Sequence, residues 1–347
     1  MSLPAWNTES FAKRRPFLEA RGRILKTVRN WFDEQGFAEV ETPCLQMSPG
    51  LEVHLKAFAT DLNEPFETSP GRMYLHTSPE FAMKKLLAAG VPRLYQLARC
   101  FRNEERSPTH HPEFTMLEWY RANEPIDALM TDCEALLKLS LQAAGRDRFS
   151  WQGKDCDAGL PWQRISVGEA FLEFAAIDLL STITDPDDPD PRPLAEAAKT
   201  IGIDAPPADR WEDIYFRIFL EHVEPHLGVG APTFLTGYPL CMAALAKPDL
   251  KDSRLAQRFE LYVSGLELAN AFGELTDSKE QRRRFERDQH LKRQLYGDIY
   301  PIDEDFLSAL SFMPESAGIA LGFDRLAMLS VHARTIDDVI WLPVIRP

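Results

Sequence analysis

Two segments of this chain have the pattern of β-hairpins, and that pattern leaves few folds open. Residues 94–101 and 113–121 have the composition of strands and are joined by a polar loop that contains two prolines. Residues 258–263 and 266–270 flank Ser264-Gly265, a pair typical of a two-residue hairpin turn. Hairpins that are separated by helical segments predict an antiparallel sheet in an α+β domain.

Helical segments surround the predicted strands. Apolar residues recur at helical spacing over 17–35, and Gly36 follows as a stop signal. Further helices are predicted over 81–89, 126–144 and 278–296. Residues 185–193 contain four prolines among acidic residues, so we predict an exposed loop there, with helical segments on both sides.

The composition is that of a globular protein. The chain has 347 residues, of which 44% are hydrophobic and 27% are charged. Its longest apolar stretch, over 238–246, has nine residues, whereas a membrane span needs roughly 18. Five cysteines without regular spacing indicate a reducing compartment. Because the first ten residues also lack the pattern of a secretory signal, we expect a cytoplasmic protein that does not bind membranes.

The chain is strongly acidic. It has 39 Lys and Arg against 53 Asp and Glu, which gives a net charge of −14. Nucleic-acid affinity depends largely on neutralised phosphates, so such a chain is a poor generic nucleic-acid binder. It also lacks the patterns CxxC and HExxH, which gives little support to a common zinc site.

One strand carries an unusual face. Alternation along residues 113–121 places Phe114, Met116, Glu118 and Tyr120 on the same side. A mixture of a ring, an acid and a phenol is odd for a core face. It suits the floor of a polar pocket.

The second hairpin brings two acidic residues together. Its turn places Tyr262 opposite Glu267, and Glu260 shares the face of Tyr262, so the two glutamates become diagonal neighbours. Two carboxylates this close repel each other unless a cation lies between them. Hard oxygen ligands suit Mg²⁺ bound to the phosphates of a nucleotide. The alternative is that each glutamate pairs with a nearby arginine.

Two arginines lie at the ends of predicted strands. Arg102 is at the mouth of the first hairpin with Glu104, and an isolated pair of this kind more often forms a surface salt bridge. Residues 318–322 form a glycine-spaced strand that runs into a helix near Asp324. Arg325, in the first turn of that helix, could meet an anionic phosphate together with the helix N-terminus.

Taken together, these segments have a familiar order. FRNE (101–104), HPEFTMLEWY (111–120), RFELYVSGLELAN (258–270) and GIALGFDRL (318–326) resemble the catalytic domain of class II aminoacyl-tRNA synthetases, specifically the lysyl branch. The resemblance covers about 15–125 and 235–347. It implies six or seven antiparallel strands flanked by helices, a homodimer, and ATP binding without a P-loop. We expect one catalytic domain over 1–347 with a mainly helical insert at about 145–235.

The departures from that family are informative. Synthetases of this branch carry an N-terminal anticodon-binding domain, for which this sequence leaves no room. In lacking that domain the sequence resembles the paralogues that attach β-lysine to a lysine of translation elongation factor P. Ser78 stands where synthetases usually have Ala, and Ala320 stands where they have Gly. Both positions are expected to line the amino-acid pocket. Ala271 and His111 replace a Gly and an Asn common to both groups, which leaves the nucleotide contact of His111 open.

The resemblance assigns ATP to one set of residues. By this resemblance Arg102 and Arg325 are the catalytic residues, with Arg102 at the α-phosphate and Arg325 at the γ-phosphate. Glu104 is expected to accept a hydrogen bond from the amino group of adenine, and Phe114 is expected to stack on the adenine ring. The metal ligands for Mg²⁺ are Glu260 and Glu267. The complete ATP set is Arg102, Asn103, Glu104, His111, Phe114, Glu267, Leu268, Gly322 and Arg325.

The amino acid, (R)-β-lysine or lysine, is assigned to a second set. Glu80 takes one amino group, Tyr120 and Glu274 take the side-chain ammonium, and Asn270 orients the carboxylate. The complete set is Ser78, Pro79, Glu80, Tyr120, Asn270, Glu274 and Ala320.

The implied activity is that of a ligase which forms AMP and pyrophosphate through an aminoacyl adenylate. The leading hypothesis is transfer of β-lysine to elongation factor P. One alternative is a stand-alone enzyme that activates α-lysine and charges tRNA or makes a small molecule, and another is an inactive synthetase-like regulator. The acidic net charge and the missing anticodon-binding domain argue against tRNA as the acceptor. An inactive regulator is disfavoured because the polar residues that the reaction needs are all present, namely Arg102, Glu104, Glu260, Glu267 and Arg325.

Overall fold

The computed structural model describes residues 4–66 and 71–345. Its α-helices are α1 (Thr8–Glu34), α2 (Glu80–Ala88), α3 (Ile126–Ala144), α4 (Val167–Ala175), α5 (Pro191–Thr200), α6 (Trp211–Ile218), α7 (Ser278–Tyr296), α8 (Glu304–Leu310) and α9 (Phe323–Val331). The predicted helices over 126–144 and 278–296 are confirmed at both ends. None of the described helices combines the length and apolar character that crossing a membrane requires.

The strands are β1 (Ala38–Glu39), β2 (Leu45–Gln46), β3 (Ala59–Leu62), β4 (Gly71–Leu75), β5 (Arg93–Phe101), β6 (Glu113–Ala122), β7 (Phe149–Trp151), β8 (Lys154–Cys156), β9 (Gln163–Ser166), β10 (Thr233–Pro239), β11 (Leu255–Val263), β12 (Leu266–Gly273) and β13 (Ser316–Gly322). Both predicted hairpins are present, as β5–β6 and β11–β12.

One mixed sheet organises the described part of the chain. Its eight strands lie in the order β1-β5-β6-β13-β12-β11-β10-β9. The α+β class with a sheet flanked by helices is confirmed. The expectation of six or seven purely antiparallel strands is wrong at the edges, because β1 pairs with β5 and β9 with β10 in parallel. Parallel neighbours need a long crossover, and the helices between β9 and β10 provide one.

Helix α1 covers one face of this sheet. It begins at Thr8 rather than at residue 17, because the side chain of Asn7 accepts hydrogen bonds from N–H groups of the first turn. Its apolar side is buried, and the ring of Phe32 stacks on that of Tyr95 with centroids 4.2 Å apart. Helices α3 and α9 share the same apolar core.

The predicted insert over 145–235 contains β7, β8, β9 and helices α4, α5 and α6. These helices have an apolar core of their own, which meets the large sheet at Leu235, Tyr238 and Tyr262. The predicted loop over 185–193 is too long, because α5 already begins at Pro191 with Asp190 as its cap. Proline is tolerated in the first turn, where its missing N–H has no helical partner.

Candidate active site

A cavity of about 340 Å³ opens on the face of the sheet opposite α1, over its central strands. Phe114, Met116, Glu118 and Tyr120 of β6 all line it, while the intervening Leu117 and Trp119 lie in the apolar core. Thr115, on the same side as Leu117, is buried and also borders the cavity. The predicted alternation is therefore confirmed. The pocket floor follows directly from the two-residue period of a strand.

Most of the predicted site residues meet in this cavity. Those that line it are Ser78, Glu80, Arg102, His111, Phe114, Tyr120, Glu260, Glu267, Leu268, Asn270, Glu274, Ala320, Gly322 and Arg325. Pro79 lines an adjoining cavity of about 50 Å³ that shares Ser78, Glu80 and Arg102 with the larger one. Asn103 and Glu104 are exposed and line neither cavity.

The hairpin β11–β12 places the two glutamates as predicted. Ser264 and Gly265 have positive φ angles of 54° and 76°, as a tight two-residue turn requires. Tyr262 pairs with Glu267 across the strands, and Glu260 pairs with Asn270. Both glutamates face the cavity.

The two glutamates differ in their partners. Glu260 accepts hydrogen bonds from Arg258 Nη2 at 2.5 Å and from the hydroxyl of Tyr262 at 2.7 Å, so the alternative of an arginine partner holds for this residue. No ion pair is found for the Glu267 carboxylate within residues 4–66 and 71–345. Burial and the neighbouring Glu260 carboxylate raise the pKa of Glu267.

This donor set fits Mg²⁺ in one particular way. No group of three or more His, Cys, Asp or Glu in the described chain is arranged to hold a metal. Mg²⁺ commonly binds through one or two carboxylates together with substrate phosphates and water, rather than in a cage made by protein alone. Two cavity-facing carboxylates beside arginines meet that requirement.

Arg325 is held by three contacts from two segments, the loop between β5 and β6 and strand β12. Its Nη1 donates to the carbonyl of Glu267 at 2.8 Å, and its Nε donates to the carbonyl of Thr109 at 3.2 Å. Its Nη2 lies 2.6 Å from Nε2 of His110. Burial and the Arg325 and Arg102 guanidinium groups lower the pKa of His110 to about 4, so this ring is neutral and accepts from Arg325. Sequence reasoning missed His110, although it lies next to the predicted His111.

Arg102 keeps free donors in the cavity. Its guanidinium carbon lies 5.2 Å from the centre of the Phe114 ring. The carboxylate near it is that of Glu105, at 3.9 Å, and not that of Glu104. Its Nε is buried without a hydrogen-bond partner among the described residues. An anionic ligand would satisfy these donors.

His111 has a structural role that its position in the sequence did not show. The residue is only 2% exposed. Its Nδ1 lies 2.5 Å from the carbonyl of Glu113, and its Nε2 accepts from the N–H of Val344 at 3.0 Å. Nδ1 also lies 3.3 Å from the N–H of Glu113, so it faces both backbone groups of that residue. The ring therefore ties the hairpin loop to the last described segment of the chain.

The opposite part of the cavity is rich in carboxylates. Glu118 is 1% exposed and accepts from the Ser78 hydroxyl at 2.5 Å and from the Tyr120 hydroxyl at 3.1 Å. Burial, reinforced by the Glu80 carboxylate, raises the pKa of Glu118 to about 8. The alternating pattern had placed Glu118 on this face, but no binding role had been predicted for it.

A lysine that sequence reasoning missed lies between two predicted site residues. Lys84 is 1% exposed, and its Nζ lies 2.6 Å from Glu80 Oε1 and 2.5 Å from Glu274 Oε2. Glu80 and Lys84 are one helical turn apart on α2, a spacing that favours an ion pair and was visible in the sequence. The contact with Glu274 depends on tertiary structure.

Two positions of β13 set the shape of this region. A Cβ atom on Gly318 would collide with the ring of Tyr120 and the carboxylate of Glu274, so glycine is required there. Ala320 pairs with Glu118 on one side and with Asn270 on the other. Its methyl group therefore lies between an acidic and an amide side chain of the pocket.

Arg258 connects the two halves of the cavity. Besides its bond to Glu260, its Nε donates to Oδ1 of Asn270 at 3.2 Å and its Nη1 donates to the carbonyl of Met242 at 2.6 Å. Phe272 also lines the cavity beside Asn270 and was not predicted.

Comparisons with known proteins agree with this arrangement. The family model for class II tRNA synthetases (D, K and N) matches residues 9–346. The elongation factor P–(R)-β-lysine ligase of Proteus mirabilis (strain HI4320) is 40% identical over 329 residues, which is 94% of each chain. Ligases of the same name from Enterobacter sp. (strain 638) and Salmonella typhi are 39% and 40% identical over 335 residues, 95% of this chain and 96% of theirs.

Proposed function

This chain belongs to the class II tRNA synthetase family, and on that basis we propose that it is an ATP-dependent ligase that activates (R)-β-lysine and attaches it to a lysine of translation elongation factor P. Relatives named for that reaction match it over nearly its whole length. The observation that carries the proposal is the division of the cavity. Arg102 and Arg325 face one part, while Glu80, Glu118 and Glu274 face the other.

The reaction needs no nucleophile from the enzyme. A carboxylate oxygen of the amino acid attacks the α-phosphorus of ATP, the bond to the β-phosphate oxygen breaks, and pyrophosphate leaves. The uncharged amine of the acceptor then attacks the carbonyl carbon of the adenylate, loses a proton, and AMP leaves with the bonding electrons. Catalysis rests mainly on position and on stabilisation of charge.

Arg102 is the residue proposed to stabilise the first step. Its free donors would hold the α-phosphate and the attacking carboxylate while negative charge builds on the phosphorus. Phe114, beside it, would stack on the adenine. Arg325 would hold the γ-phosphate, and its contacts with Thr109 and His110 fix its direction.

The remaining nucleotide contacts stay predictions. His111, Leu268 and Gly322 line the cavity, although both ring nitrogens of His111 are already engaged within the protein. Asn103 and Glu104 lie on the exposed loop, and a contact between Glu104 and adenine would need that loop to fold over the nucleotide.

Glu260 and Glu267 are the residues proposed to hold Mg²⁺. When bound, the metal would neutralise charge on the ATP phosphates. The Arg258 and Tyr262 contacts would keep the Glu260 carboxylate oriented toward the cavity.

The carboxylate-rich part suits an amino acid with two ammonium groups. Glu80, Glu118 and Glu274 offer counter-charges, and Asn270 would orient the carboxylate of the amino acid. Burial of a carboxylate costs free energy unless a cation pairs with it. An amino acid with two ammonium groups should therefore bind here more tightly than one with a neutral side chain. Ser78, Pro79, Tyr120 and Ala320 would shape the space for the displaced amino group of a β-amino acid.

A homodimer is also proposed. The last described residues lie along the start of α1, where Arg14 donates to the carbonyl of Trp341 at 3.1 Å. Apolar side chains are exposed there, among them Trp6, Leu342 and Ile345. Light scattering of the purified protein at several concentrations would test this, and a mass of one chain throughout would refute it.

Transfer of label tests the main proposal. The protein would be incubated with ATP, Mg²⁺ and labelled (R)-β-lysine or α-lysine, with purified elongation factor P and total tRNA offered in parallel. We expect label on elongation factor P, more with β-lysine than with α-lysine, and none on tRNA. Label on tRNA alone would favour a stand-alone lysine-activating enzyme, and absence of ATP–pyrophosphate exchange would refute the ligase.

A further inference from the structure

The buried ammonium group of Lys84 joins two acids that come from distant parts of the chain. Glu80 and Lys84 belong to α2, whereas Glu274 directly follows β12. Lys84 Nζ lies 2.6 Å from Oε1 of Glu80 and 2.5 Å from Oε2 of Glu274. Lys84 and Glu274 are each only 1% exposed, so solvent screens their interaction little.

Lys84 itself does not line the cavity, while both of its partners do. Lys84 takes up one oxygen of each carboxylate. Neither carboxylate oxygen of Glu274 has a hydrogen-bond partner among the described residues; Oε2 is in ion-pair contact with Lys84, and Oε1 has no charged partner there. Lys84 therefore lies outside the cavity wall, and Glu80 and Glu274 each have a second carboxylate oxygen available to a ligand in the cavity.

The charges around this group can be counted element by element. Helix α2 contributes Glu80 and Lys84, β6 contributes Glu118 beside the neutral phenol of Tyr120, and the segment after β12 contributes Glu274. Lys247, from the segment before β11, lies on the outer side and pairs with Glu315 at 2.5 Å. Glu52, from the segment before β3, also lines the cavity and interacts with both Arg102 and Glu80. The three carboxylates around Lys84 and its buried ammonium leave two negative charges on this side of the cavity when all are ionised.

We propose that Lys84 is a positioning residue for amino-acid activation: it holds Glu80 and Glu274 at a fixed separation and leaves the cavity with the two negative charges that a diamino acid neutralises. This rests on the proposed function, because two ammonium groups are a property of the proposed substrate. Lys84 is not a catalytic residue, since it does not line the cavity in which the amino acid and ATP would bind.

Removal of the ammonium group has a definite physical consequence. Without it, Glu80 and Glu274 would repel each other, and at least one would bind a proton or turn away. An ammonium group of the amino acid would then lose a counter-charge at a fixed place. The ATP part of the cavity, around Arg102 and Arg325, would keep its own contacts.

Substitution of Lys84 by methionine tests the proposal, with Lys85→Met as the matched control. Lys85 is the next residue on α2 and pairs with Asp303 and Asp305 at 2.8 Å, away from the cavity. ATP–pyrophosphate exchange would be measured against (R)-β-lysine and against ATP between pH 6 and pH 9, with thermal melting as a check of folding. Lys84→Gln, whose amide can still donate to carboxylates, is the second variant.

For Lys84→Met we expect the KM for β-lysine to rise at least thirtyfold, which is about 2 kcal/mol, and the KM for ATP to stay within twofold. The acidic limb of kcat/KM for the amino acid should move to higher pH, because the remaining carboxylates bind protons more tightly. Lys84→Gln should show the same shift, and Lys85→Met neither change.

Three results would overturn the proposal. Superimposable pH profiles and KM values for wild type and Lys84→Met would show that Lys84 does not position the acids. Equal rises in both KM values, or loss of folded protein in both variants, would show a purely structural role. Absence of amino-acid-dependent exchange in the wild type would instead refute the proposed function, so the two failures are distinguishable.

Discussion

The guanidinium of Arg325 is bound by the neutral imidazole of His110, with Nη2 and Nε2 2.6 Å apart. This contact joins the first turn of α9 to the loop between β5 and β6. Because the neutral His110 ring accepts a hydrogen bond from Arg325, it orients the guanidinium toward the cavity and leaves its positive charge unpaired. The pair would therefore hold Arg325 ready for the terminal phosphate that we propose it binds.

Loss of this acceptor should weaken ATP binding. We expect His110→Ala to raise the KM for ATP about tenfold, because a hydrogen bond to a charged group contributes roughly 1.5–3 kcal/mol. The KM for the amino acid should stay within twofold. Exchange kinetics would measure both, with the exposed His290→Ala on α7 as the control, and equal rises in the two KM values would contradict the assignment.

Arg102→Ala should abolish adenylate formation. Its unpartnered donors face the place where the α-phosphate is expected, and loss of such a donor costs about 10²–10³ in rate, more when the donor is charged. Arg106→Ala, in the same loop but not at the cavity, should keep wild-type exchange. Exchange in Arg102→Ala at more than a tenth of the wild-type rate would remove this arginine from the mechanism.

Ala320→Gly should shift the amino-acid preference toward α-lysine. The Ala320 methyl lies between Glu118 and Asn270, so its removal deepens the pocket by about one carbon atom, an effect worth roughly tenfold in kcat/KM. Ala317→Gly, in the same strand but facing the apolar core, controls for the glycine itself. An unchanged ratio of β-lysine to α-lysine activity would exclude Ala320 from specificity.

Binding of β-lysine should strengthen as the pH rises toward 8. The pKa of Glu118 is raised to about 8, so the free protein holds this carboxyl protonated at lower pH, and a cationic ligand must displace the proton. For one such group the affinity should increase roughly twentyfold from pH 6.5 to pH 8.5. Calorimetry would measure this, and Glu118→Gln should show a smaller increase, limited to what Glu274 contributes. An affinity in the wild type that does not change with pH would contradict the role of Glu118.

Arg21→Met should destabilise the whole domain. Nη2 of Arg21 lies 2.7 Å from Oδ1 of Asp324, and Oδ2 of Asp324 accepts from the N–H of Thr115, so the pair ties α1 to α9 and β6. Removal of one partner of a buried pair costs about 3–5 kcal/mol. Arg15→Met, which breaks the exposed pair with Glu19 on the same helix, should cost less than about 1 kcal/mol. Urea unfolding would compare them, and equal losses would contradict the burial argument.

The parts of this protein that depend on near neighbours could be predicted from sequence. The face of β6 followed from alternation, and the pairing of Tyr262 with Glu267 followed from a two-residue turn. Helices α3 and α7 followed from the residue pattern of each segment, and in the structure each ends at a left-handed glycine, Gly145 or Gly297. Family resemblance added which of these faces would meet.

Other features needed the folded chain. The sequence suggested Glu104 as the partner of Arg102, but the backbone turns at Glu104 with a φ of 65° and places Glu105 near the guanidinium instead. Likewise, no local signal indicated that His111 would bind the N–H of Val344, at the other end of the chain.

The sequence by itself determined the faces of β6, the pairing next to the Ser264-Gly265 turn and the types of side chain available for a site, because each depends on residues within a few positions. The register shift between Leu261 and Tyr262, which pairs Glu260 with Asn270, was not predicted. Only the tertiary structure decided that Lys84 stands between Glu80 and Glu274, and that His110 binds Arg325. Such contacts join residues nearly two hundred or more positions apart. Periodicity carries no information at that range, since the packing of whole elements sets which side chains share a buried charge.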